Sequence, residues 1–123
     1  MSSNEKLKVF LDRDQNVVFA LIFGSYAEGR QKKASDIDIG IYFIQPPEGI
    51  KLLTLINVLS ELAGREVDVV VLNNAPPFLR HQIMKNRVIL TIKDMAVYAK
   101  FREKTISDYD EYKYISGMNV YDR

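Results

Sequence analysis

The chain has 123 residues, enough for a single domain spanning 1–123 and too few for a second of ordinary size. At 47% hydrophobic and 27% charged it reads as globular, and no apolar stretch approaches the roughly 18 to 20 residues that span a bilayer. A formal charge of +1 provides no global attraction to nucleic acid, so no direct nucleic-acid binding is expected, and the absence of cysteine excludes disulfides and thiolate metal sites.

The N-terminus, MSSNEKLKVF, has an acidic residue and no continuous apolar core, unlike a secretory signal, and a cytoplasmic protein is expected. Ser2 or Ser3 is placed to cap a short helix with Leu7, Phe10 and Leu11 on one face. Val17 to Phe23 is a nearly unbroken β-branched and aromatic run, the pattern of a strand buried on both faces. Gly24 stops it, and the polar segment from Tyr26 to Ser35 reads as a short helical turn followed by an exposed loop. From Asp36 to Phe43 the residues alternate, with Ile37, Ile39, Ile41 and Phe43 on one face and Asp36, Asp38, Gly40 and Tyr42 on the other.

Pro46 and Pro47 end that strand, because neither can donate to a ladder. A helix follows over Ile50 to Ala63, with Leu52, Leu55, Ile56, Leu59 and Leu62 as its apolar stripe and Gly64 as its stop. Val67 to Leu72 is a third strand, Phe78 to Arg87 a shorter helix, and Val88 to Ile92 a fourth strand. Asp94 is placed to cap a last helix carrying Tyr98, Phe101 and Ile106, which Gly117 should interrupt. The pattern predicts an α+β domain of two layers: a mixed β-sheet of about four strands with flanking helices.

Two aspartates at i and i+2 of a strand share a face, where their repulsion is costly unless a cation lies between them. Mg²⁺ takes oxygen ligands, often one or two carboxylates together with substrate phosphates, and Asp36 and Asp38 suit it. The Gly24-Ser25 turn after a strand offers backbone N–H groups to a phosphate, with no side chain on Gly24 to block approach. Asp68 stands in the apolar run VDVVVL, where a solitary carboxylate is expensive to bury. If its strand lies beside the Asp36-Ile37-Asp38 strand, three carboxylates converge as two-metal nucleotidyl transfer requires.

Gly24-Ser25, the ten-residue spacer, Asp36-Ile37-Asp38 and the later Asp68 resemble the signature of the DNA polymerase β nucleotidyltransferase superfamily. The small size is similar to its minimal nucleotidyltransferase (MNT) branch. The resemblance implies a nucleotidyltransferase fold and Mg²⁺-dependent transfer of AMP from ATP. It also implies a cognate HEPN-type toxin as partner, neutralised by AMP added to a hydroxyl, most simply a tyrosine. By this match Gly24 and Ser25 hold triphosphate, and Asp36, Asp38 and Asp68 hold two metal ions and carry the catalysis. Family members often carry a basic residue shortly after Gly-Ser; this chain has Glu28, which moves the expected phosphate contact to Arg30, Lys32 or Lys33, with Arg30 first.

Blander readings stand beside these. Asp36 and Asp38 could edge a loop, Asp68 could pair with Arg65, and the basic cluster could be a solvated loop. His81, the sole histidine, reads as a packing residue, and the spacing of the late tyrosines fits helix packing with a partner surface at the end. Two other functions remain open: an antitoxin acting by stoichiometric binding alone, and nucleotidyl transfer to a small molecule. A homo-oligomer is also left open.

Overall fold

The computed structural model describes residues 1–24 and 36–121, with side chains as far as residue 111. Helix α1 (Ser3–Arg13) starts at a Ser2 cap, whose Oγ accepts the Glu5 N–H at 3.2 Å and whose hydroxyl donates to Glu5 Oε1. Such a cap satisfies a donor that the helix start would otherwise leave unpaired, worth about 1 kcal/mol.

Strand β1 (Val17–Phe23) pairs antiparallel with β2 (Ile37–Phe43) on one side and with β4 (Arg87–Ile92) on the other. β2 pairs parallel with β3 (Val67–Val71), giving the order β3-β2-β1-β4. A parallel pair needs a crossover, which α2 (Ile50–Ala63) supplies before stopping at Gly64 in the left-handed region, φ 70°. α3 (Pro77–Lys85) leads into β4, and α4 (Met95–Tyr121) runs from an Asp94 cap whose Oδ1 accepts the Val97 N–H at 3.1 Å.

The mixed four-stranded sheet with flanking helices is as expected, and the layer count extends from two to three. The central strand β1 is apolar on both sides, so both faces must be covered. On one face Leu7 and Leu11 of α1 and Leu59 of α2 pack with Ile22, Ile39 and Ile41. On the other, Ile83 of α3 and Tyr98 and Phe101 of α4 pack with Phe19, Leu21 and Leu72.

Boundaries differ from the sequence reading in four places. Asp36 precedes β2 rather than opening it, and Leu72 lies in a 3₁₀ turn, Leu72–Asn74. Arg87 opens β4 instead of closing α3, because Pro77 at the first helical turn starts that helix one residue earlier and Asn86 already has an extended backbone. Helix α4 passes through Gly117 to Tyr121, since glycine weakens a helix by about 1 kcal/mol yet keeps its N–H donor. Among the described residues no helix is long and apolar enough to cross a membrane.

Candidate active site

The strand register gathers Gly24, Asp38 and Asp68 at one end of the sheet, with Asp36 just ahead of β2. The Ile37 N–H donates to Glu66 O at 3.0 Å, tying the start of β2 to the start of β3. In that register Asp38 lies opposite Asp68. Strands in a sheet are about 4.8 Å apart, and paired residues of a parallel ladder project to the same face. Asp38 and Asp68 therefore stand side by side, on the face opposite Ile37, Ile39 and Val67. The same row continues across β1, where Phe23 pairs with Asp38, and ends on β4, where Arg87 pairs with Phe23.

Gly24 follows Phe23 directly and closes the site from the side of β1. Its φ of 76° is left-handed, and a Cβ added there would lie 2.7 Å from Asp38 Oδ2. Glycine is needed twice over at this position, for backbone conformation and for room beside a carboxylate. The sequence reading anticipated only its openness to phosphate. A strand ending abruptly at glycine was the signal for the turn, but nothing local in the sequence shows that Asp38 fills the missing side chain's space.

Asp38 is half-buried, while Asp36 and Asp68 are exposed. The position of Asp68 on an edge strand avoids the desolvation cost that the apolar run VDVVVL suggested. Burial pushes the Asp38 carboxyl above the usual carboxylate range, and the negative charges of Asp68 and then Asp36 push it in the same direction. Among the described residues the carboxylates do not close into a group of three that would hold a metal ion unaided. Their chemistry nonetheless fits one: hard oxygen donors from two adjacent strands repel one another, a repulsion that a divalent cation sharing its shell with phosphates reverses. Ser25 and Arg30, with Lys32 and Lys33, lie outside the described residues.

At the opposite end of β2 the same face is closed by aromatic packing. Phe19 stacks on Tyr42 with centroids 5.3 Å apart and meets Tyr98 edge-on at 5.0 Å and Phe101 at 5.3 Å. Beside it lies a cavity of about 360 Å³ lined by Tyr42, Asn73, Arg80 and Lys100 among others, away from the carboxylates. Arg80, 7% exposed, joins α3 to α4: it donates through Nη2 to Asp108 Oδ2 at 2.8 Å and through Nε to Ala75 O at 3.0 Å. Arg80 and then Lys104 hold the Asp108 carboxyl below its usual range. His81 has the packing role expected of it, stacked on Tyr109 at 3.5 Å. Tyr112, Tyr114 and Tyr121 lie beyond the described side chains.

The sequence profile of the polymerase beta nucleotidyltransferase family matches residues 5–96. The chain belongs to this family. It is 30% identical over 111 residues to protein adenylyltransferase MntA of Shewanella oneidensis, a span covering 89% of this chain and 78% of that protein. It is similar in structure to a chain of a toxin-antitoxin crystal structure with AMP-PNP, with a TM-score of 0.82, 28% identity and 97% of each chain covered. A further similarity is to a chain of the tri-AMPylated Shewanella oneidensis HEPN toxin in complex with MNT antitoxin, with a TM-score of 0.76, 26% identity, and coverage of 97% and 94%. Within this nucleotidyltransferase family membership, the Gly24 turn and the Asp38–Asp68 pair are the parts of the signature that the described structure brings into contact range. Arg87, at the far end of the same row, reads in the sequence as a helix end.

Proposed function

We propose that this nucleotidyltransferase moves AMP from ATP to a hydroxyl, most simply a tyrosine, on a cognate HEPN-type toxin and thereby neutralises it. The observation carrying this reading is the Asp38–Asp68 pair in adjacent strands, packed against a left-handed glycine at the end of β1. The relatives named for protein adenylylation and for HEPN–MNT complexes support the choice of acceptor.

Gly24 leaves its backbone open to the triphosphate, with Ser25 and Arg30 completing that contact. Asp36, Asp38 and Asp68 hold two Mg²⁺ ions, which, when bound, neutralise phosphate charge and polarise the reacting phosphoryl group. Ligation uses the ionised form of Asp38, which a bound cation favours against the burial and neighbouring carboxylates that raise its pKa. Asp68, exposed at the sheet edge, is within reach of an acceptor arriving from solvent. The acceptor oxygen bonds to the α-phosphorus, the bond to the α–β bridging oxygen breaks, and pyrophosphate leaves. The hydroxyl proton passes to Asp68. The nucleophile comes from the partner, and a reaction that consumes ATP fits a cytoplasmic protein.

Coexpression with the HEPN-type product of the adjacent gene, followed by intact mass measurement of that partner, tests the reading. Partner masses raised by whole AMP units with the protein, and not with its Asp38→Ala variant, are expected. A tight complex with an unmodified partner would instead assign a stoichiometric binder.

A further inference from the structure

We infer that Arg87 is a contact for the phosphate chain of the nucleotide, an inference that rests on the nucleotidyltransferase reading above. Arg87 pairs with Phe23, which pairs with Asp38, so all three belong to one row of the sheet. Two strand spacings put its Cα about 10 Å from that of Asp38, on the far side of β1. The site is thus polarised across β1, with carboxylates on one side and a guanidinium on the other. A bound triphosphate, whose charge is spread over three phosphorus centres, matches that division.

The guanidinium is preorganised and its charge is not spent. Nε donates to Tyr98 Oη at 2.7 Å and Nη1 to Met84 O at 2.8 Å, and the Tyr98 ring lies 5.9 Å from its carbon. All of these partners are neutral, and among the described residues no carboxylate forms an ion pair with Arg87. A half-buried cation held in this way retains attraction for an anion, with Nη2 as the remaining donor edge. Arg87 also opens onto a cavity of about 320 Å³ whose lining adds His81, Lys85 and Arg102 and contains no acidic residue. The formal charges lining that cavity, on Lys85, Arg87 and Arg102, are therefore all positive.

Calorimetric titration of ATP, pyrophosphate and AMP, each with Mg²⁺, into the full chain tests the inference without depending on transfer. Arg87→Gln should weaken ATP and pyrophosphate binding about tenfold, weaken AMP binding less, and reduce the salt dependence of ATP binding. Arg87→Lys should restore part of the loss. Tyr98→Phe removes the hydroxyl that holds Nε while keeping the ring, and should weaken ATP binding a few-fold, which covers the case of an unfolded Arg87→Gln. Equal ATP affinity for wild type and either folded variant would overturn the role of Arg87 and leave the nucleotidyltransferase reading standing. A wild type that binds no ATP would overturn both.

Discussion

The face of the sheet under α1 and α2 is filled with apolar, mostly aliphatic side chains, whereas the face under α3 and α4 is divided along its length. One end of the second face packs aromatic rings around Phe19; the other carries Asp38, Asp68 and Arg87 around the end of β1. The alternation of β2 produces the division, since its odd positions from Ile37 to Phe43 are all apolar while its even positions change from Asp38 through Gly40 to Tyr42. Gly40 itself leaves room for Leu72, whose Cδ2 would lie 3.1 Å from an added Cβ. Stability and chemistry are therefore separated by face, and within one face by end.

Substitutions at these places break or sharpen that contrast. Asp38→Ala should reduce AMP transfer by at least about 10³-fold, because it removes a charge that acts where phosphate charge develops. Circular dichroism and melting should show the fold retained, since relief of the repulsion from Asp68 and Asp36 offsets the lost packing. On the aliphatic face the outcome should invert. Leu11→Ala should cost about 2–5 kcal/mol in denaturant unfolding and leave ATP affinity per folded molecule unchanged. Phe19→Ala, at the aromatic end, should cost about 3–5 kcal/mol by the same measurement, again without a direct effect on nucleotide binding.

Gly24→Ala acts on both sides of the contrast. It places a side chain in left-handed backbone and against Asp38 Oδ2, so a loss of about 1–3 kcal/mol is expected together with weaker ATP binding, read by melting and calorimetry. The smallest effect concerns pH. Arg80 and Lys104 depress the Asp108 carboxyl, so this group contributes stability above the ordinary aspartate value of 3.8 that disappears as pH falls through the depressed value. Asp108→Asn should therefore lower the Tm at neutral pH, and the difference from wild type should narrow in acid below 3.8.

The elements were legible where periodicity was strong: the β1 run, the alternation in β2, the stripe of α2 and both polar caps. Asp38 and Gly24 were legible as a motif because turn, spacing and strand agree locally. The partnership of Asp38 with Asp68 required the order of the strands, and nothing in VDVVVL reveals that β3 is an edge where a carboxylate meets solvent. Arg87 was obscured for a related reason. A charged residue after Lys85-Asn86 reads equally well as a helix end or a strand start, and only pairing with Phe23 places it in the row of the carboxylates. The contact between Gly24 and Asp38 lies in three-dimensional register, which composition does not carry.

The central claim is that the carboxylate end of the second face transfers the α-phosphoryl group of ATP to a partner protein. It is tested most directly by incubating the protein and its HEPN-type partner with Mg²⁺ and ATP labelled at the α-phosphate, in parallel with ATP labelled at the γ-phosphate. Label on the partner from the α position alone, resistant to denaturing gel electrophoresis and absent with Asp38→Ala, is the predicted result. Label from the γ position, or equal α-label with Asp38→Ala, would contradict the account.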